Sequence, residues 1–180
     1  MASADRISAD QPGWESALAD GLLSAGCDAA VLVPDKRLEP IASRLRSRVA
    51  VRTLLQEEEC VAHAGGQVLA GGRPAVLMQC SGLGNALNAL ASFVIPYGLG
   101  IPLVISMRGT LGERNPAQVP MGRATATVLG ALGIQAFAVD DPGQVQATAA
   151  GITDMAGAGV TAAMLLGQEL LPSATTGARR

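Results

Sequence analysis

At 180 residues the chain has the length of one domain, and its 49% hydrophobic and 16% charged residues make it more apolar than a free monomer of this size requires. Contact with other subunits is therefore expected. A net charge of -2, with one Trp, one Tyr and two Phe, argues against a basic or base-stacking surface for nucleic acid, and no apolar run reaches the ~18 residues of a membrane span. The odd set Cys27, Cys60 and Cys80 lacks CxxC spacing, and the first ten residues lack the apolar stretch of an export signal. Both point to reduced thiols in a cytoplasmic protein, with no metal cluster of its own.

In chain order, residues 1–10 read as a solvated tail. A helix over 13–25 with a stop at Gly26 precedes a strand over 29–33. A helix over 37–48 and a strand over 49–54 follow, then a helix over 57–70 with a stop at Gly71, a strand over 75–79 and a helix over 86–97. The second half repeats the alternation: strand 103–107, helix 122–132 with a stop at Gly133, strand 136–139, a helix over 144–158 opened by Asp141-Pro142, and strand 162–166. Residues 173–180 read as a second solvated tail. Short strands apolar on both faces, alternating with helices, predict an α/β fold over residues 11–172. Its sheet is doubly wound, mainly parallel and six-stranded, with helices on both faces.

In such a sheet the strand ends near Leu54, Gln79 and Met107 open on one rim, where α/β proteins bind ligands. The segments that follow them carry Gln56, Glu57, Glu58 and Glu59, then Ser81-Gly82-Leu83-Gly84-Asn85, then Arg108-Gly109-Thr110. Acidic residues in a first helical turn are often no more than partners of the helix dipole. Helical phase places Glu59 on a polar stripe with His63 and Gln67, and Glu57 at the head of an apolar one with Cys60, Val61 and Ala64. Glu57 is therefore the candidate for proton exchange with a cofactor, although phase does not exclude Glu58. Gly-x-Gly after a strand serves positive φ and close packing as readily as ligand binding. The dinucleotide pattern lacks its third glycine and follows the wrong strand, and there is no Walker loop or GxSxG elbow.

The string Met78-Gln79-Cys80-Ser81-Gly82-Leu83-Gly84-Asn85-Ala86-Leu87-Asn88-Ala89-Leu90-Ala91-Ser92 carries a more specific signal. With Glu57, Ile101-Pro102-Leu103, Met107-Arg108-Gly109 and Pro116-Ala117-Gln118-Val119-Pro120-Met121-Gly122, it resembles the pyrimidine-binding domain of thiamine-diphosphate-dependent 2-oxoacid decarboxylases. The similarity is to the sulfopyruvate and phosphonopyruvate decarboxylases and runs over roughly residues 27 to 165. The resemblance implies that Glu57 is the cofactor-activating acid, hydrogen-bonded to N1′ of the aminopyrimidine ring. It also implies that Gln79, Ser81, Gly82, Leu83, Gly84 and Asn85 border the cofactor, and that the cofactor acts as electron sink while a small anionic 2-oxo acid loses CO2.

The family's Gly-Asp-Gly motif for the diphosphate and its magnesium is absent from this sequence. The resemblance therefore implies a hetero-oligomer in which a separately encoded beta subunit supplies both. Lys36 and Arg108 are candidates for the second negative charge of a 3-sulfonated or 3-phosphonated substrate, or are surface cations only. Gln118 stands where phosphonopyruvate relatives carry histidine, which favours the sulfonate. The competing reading is a noncatalytic module of the same fold that binds a small anion and serves assembly.

Overall fold

The computed structural model describes residues 13–110 and 113–170, and both expected tails lie outside the described residues. The strands are β1 (Ala29–Leu32), β2 (Ala50–Thr53), β3 (Pro74–Gln79), β4 (Pro102–Ser106), β5 (Gln135–Val139) and β6 (Ala162–Leu166). All pair in parallel in the order β2-β1-β3-β4-β6-β5. The helices are α1 (Trp14–Ser24), α2 (Glu39–Arg46), α3 (Glu57–Leu69), α4 (Leu83–Ala89), α5 (Val119–Ala131) and α6 (Val145–Gly157).

Strand side chains alternate between two cores. Leu32, Leu77, Val104 and Met164 pack with buried residues of α1, α2 and α6. Val31, Val76, Met78, Leu103, Ile105 and Leu165 pack with those of α3, α4 and α5. Burial on both sides is why β1 and β6 are apolar throughout and β3 and β4 are apolar up to their last residues, Gln79 and Ser106. Gly26, Gly71 and Gly133 close α1, α3 and α5 with φ of 92°, 87° and 74°, as expected of helix stops.

Three helix starts differ from the sequence expectation, each for a local reason. Asp35 Oδ1 accepts hydrogen bonds from the amides of Arg37 (2.8 Å) and Leu38 (3.1 Å), so a turn occupies 35–38 and α2 begins at Glu39. Asn115 Oδ1 accepts from the Ala117 amide at 3.1 Å and starts a 3-10 turn over Pro116–Gln118, which brings α5 forward to Val119. The segment after β3 is no open glycine loop: Cys80–Gly82 form a 3-10 turn that runs directly into α4 at Leu83. Past Ala89 the helix widens into a π turn over Leu90–Val94, with Phe93 packed on Gly65 of α3.

Candidate active site

The carboxyl ends of β2, β3 and β4 bring the expected rim together, and its centre is a contact between α3 and the turn after β3. Glu57 is the first residue of α3 and is half-buried. Its carboxylate lies so close to Gly82 that a Cβ there would overlap Oε1, Cδ and Cγ. Asn85, in the first turn of α4, donates from Nδ2 to Glu57 Oε2 at 3.1 Å. Of the two backbone roles expected of these glycines, positive φ and close packing, position 82 serves the second. Gly82 has φ -74° and ψ -18°, a conformation open to any residue, and neither Gly82 nor Gly84 has positive φ. What position 82 requires is the absence of a side chain beside Glu57. Gly84 is exposed, with Met121 its nearest neighbour. Leu83 is fully buried between α3 and α4, so its side chain takes no part in the polar cluster.

The three acids divide by role. Glu59 Oε2 accepts from the amides of Leu55 and Gln56, each at 3.2 Å, and so caps α3. Glu58 is exposed. The His63 side chain on α3 is half-buried, and both its Nε2 and Gln67 Oε1 are buried without a hydrogen-bond partner. The stripe on which sequence phase placed them is thus less open to water than expected.

A second cluster adjoins the first. Gln79 Nε2 donates to Ser81 Oγ at 2.5 Å and to Gln118 Oε1 at 3.1 Å, and Arg108 Nη1 approaches Gln79 Oε1 at 3.5 Å. Arg108 is engaged elsewhere: its Nε and Nη2 donate to Glu113 at 2.7 and 2.8 Å. Glu113 also accepts from the Gly109 and Asn115 amides and from Gln168 Nε2. The Arg108 guanidinium holds the Glu113 carboxyl well below the usual carboxylate range, and the pair in turn raises Arg108. Lys36 is exposed and stands outside this network. Its neighbour Arg37 reaches across instead and donates from Nη1 to the Met107 carbonyl at 3.2 Å. Burial first, and the Arg108 charge second, lower the Arg37 pKa.

Glu113 and Arg37 were both missed in the sequence. Neither lies on an apolar stripe or in a motif, and each matters only because a loop folds back toward the rim. The cysteines are free and buried, and desolvation pushes the Cys27 thiol up to about 11 and the Cys60 thiol up to about 12. None of the three is placed as a nucleophile.

An acid seated against a glycine and beside a cluster of amides thus lies at the carboxyl rim of a parallel sheet, the edge at which α/β proteins bind ligands. The chain belongs to the thiamine pyrophosphate enzyme family: the model of the N-terminal TPP binding domain matches residues 14–115. It is 39% identical to the sulfopyruvate decarboxylase subunit alpha of Methanothermobacter thermautotrophicus, over 75% of this chain and 83% of that protein. With the sulfopyruvate decarboxylase subunit alpha of Methanococcus maripaludis the identity is 36%, over 67% and 74%. It is also 36% identical to the phosphonopyruvate decarboxylase of Streptomyces viridochromogenes, over 62% of this chain and 29% of that protein. A 2-oxoglutarate:ferredoxin oxidoreductase from Magnetococcus marinus shares the fold, with a TM-score of 0.63 at 12% identity, over 95% of this chain and 33% of that one.

Proposed function

We propose that this chain is the pyrimidine-binding alpha subunit of a thiamine-diphosphate-dependent decarboxylase that converts 3-sulfopyruvate to sulfoacetaldehyde and CO2. The observation that carries the reading is Glu57, held at the rim by Asn85 and given its place by Gly82. A half-buried acid beside a position that tolerates no side chain fits the edge of a flat heteroaromatic ring. When bound, the cofactor supplies a nucleophilic carbon and an electron sink. The Glu57 carboxyl shares a proton with ring N1′, and Asn85 fixes the orientation of that carboxyl through Oε2. Gln79 and Ser81 border the cofactor and, through the bond from Gln79 to Gln118, orient the Gln118 amide toward the substrate, with Arg108 set against Gln79 by Glu113.

The diphosphate and its magnesium ion are assigned to a beta subunit, a partner consistent with relatives named as alpha subunits. The surface supports the same assignment. Between Arg73 and Arg108 the chain has no charged residue, yet Asn85, Asn88, Ser92, Ile95 and Tyr97 are exposed. Leu55, two residues before Glu57, is 88% exposed. Uncharged and apolar surface that starts at the site and continues along α4 suits burial under another polypeptide in a hetero-oligomer. Among the described residues no helix is long and apolar enough to cross a membrane, and the buried free thiols fit a cytoplasmic setting. Gln118, which cannot carry charge, favours sulfonate over phosphonate as the substrate's acidic group.

The test is Glu57→Gln in the complex with the beta subunit. This variant preserves size and hydrogen bonding and removes the carboxyl proton, so decarboxylation of 3-sulfopyruvate falls by ~10²–10⁴-fold while assembly is retained. Wild-type turnover by the variant would transfer support to the noncatalytic, anion-binding module.

A further inference from the structure

Four cations stand in the loops at the carboxyl edge of the sheet: Lys36 and Arg37 between β1 and α2, and Arg108 and the exposed Arg114 between β4 and α5. They are not equivalent. Arg108 is neutralised by Glu113 through two charged hydrogen bonds. Lys36 is exposed. Arg37 is half-buried and has no ion-pair partner, since the ion pairs among the described residues are Arg46–Glu39, Arg48–Asp20 and Arg108–Glu113. Asp35, the nearest acid in sequence, accepts the Arg37 and Leu38 amides instead of the guanidinium.

The side-chain hydrogen bond of Arg37 runs from Nη1 to the carbonyl of Met107. That contact carries the guanidinium from the end of β1 to the end of β4, one residue from Arg108. Among the described residues, the rest of its planar donor fork meets no acceptor. Burial first and the Arg108 charge second disfavour a cation here, and the Asp35 and Glu113 carboxylates offset that only in part, so an anion arriving from solvent would relieve the remaining cost. Next to this carbonyl, Ser106 Oγ is buried and unpartnered. Ser106 shares its sheet face with Val104, whose side chain belongs to the core formed with α1, α2 and α6.

We infer that Arg37 is the receptor for the sulfonate or phosphonate group on C3 of the 2-oxo acid, which it binds through the N–H groups left free by its bond to the Met107 carbonyl. The inference rests on the decarboxylase reading and assigns the group that the reading leaves without a partner. The retained acidic group is the appropriate target. A guanidinium paired with the carboxylate would stabilise a charge that departs as CO2 and so oppose the reaction, whereas one paired with the C3 substituent holds ground and transition states alike. Arg108, already held by Glu113, acts as a positioning residue for Gln79.

The experiment uses the complex with its beta subunit and two variants, Arg37→Met and Arg37→Lys. The ratio of kcat/KM for 3-sulfopyruvate over pyruvate is expected to fall about 30-fold in Arg37→Met, with Arg37→Lys intermediate because it keeps the charge and loses the fork. Calorimetry with 3-sulfopropionate, which lacks the reacting ketone, should show a matching loss of affinity. Should Arg37→Met fail to assemble, the lysine variant provides both readouts, and an unchanged ratio and affinity there would overturn the assignment. An active wild-type complex whose Arg37→Met variant keeps its preference and its affinity refutes the role of Arg37 and leaves the decarboxylase reading standing. A wild-type complex that consumes no 2-oxo acid but binds 3-sulfopropionate through Arg37 does the reverse. Failure of both turnover and binding in the wild-type complex refutes the two together.

Discussion

Replacing Gly82 by Ala separates the geometry of the site from the stability of the fold. The added methyl would overlap Oε1, Cδ and Cγ of Glu57, and the carboxylate must retreat by about 1 Å or more to reach ordinary van der Waals separation. The retreat also strains the Asn85 hydrogen bond to Oε2, now 3.1 Å long. The backbone has no reason to move, because Gly82 already has right-handed helical φ and ψ, and Gly-to-Ala at a compatible position adds ~0.4–1 kcal/mol of stability through the unfolded chain. A misplacement of this size at a catalytic group costs ~100-fold in rate. The assay compares kcat of the reconstituted complex with the thermal midpoint of the same preparation. Expected is a ~100-fold lower kcat at an unchanged or slightly raised midpoint. Wild-type kcat would refute the argument, as would a rate loss matched by a fall in the midpoint.

Two further outcomes follow from the charge and thiol chemistry. Arg108 depresses the Glu113 carboxyl below its ordinary value of 4.5, so the pair's contribution is complete above that pH and is lost as pH falls through the lower, folded-state value. Glu113→Gln should cost about 1–3 kcal/mol at neutral pH in urea unfolding, a difference that shrinks toward strong acid. Burial raises Cys27, Cys60 and Cys80 above the ordinary thiol value of 9.0, so at pH 8 the native protein should react with a thiol reagent far more slowly than the urea-unfolded chain. Rapid native labelling would contradict the burial described here.

The features that could be read without the fold are those set by local chemistry. The apolar runs that became β1, β3, β4 and β6 are buried on both faces, and that leaves a mark in consecutive residues. The phase of α3 placed Glu57 toward the apolar side and Glu59 toward solvent, because helical geometry over one turn is independent of the rest of the molecule. α2 starts two residues later than its pattern suggests because Asp35 offers the backbone amides of Arg37 and Leu38 a competing turn. For Gly82, the same letter serves backbone freedom and close approach, and only the partner across the gap tells them apart.

Chain order alone established an alternating α/β domain, its family-specific string around Ser81 to Asn85, and an acid at the head of α3, since each depends on neighbours within a few residues. The tertiary structure decided which groups meet: Glu57 with Gly82 and Asn85, Glu113 with Arg108, and Arg37 with the Met107 carbonyl 70 residues away. Parallel strands joined by helical crossovers bring distant loops to a common edge, and no local pattern encodes which side chains those loops will set face to face.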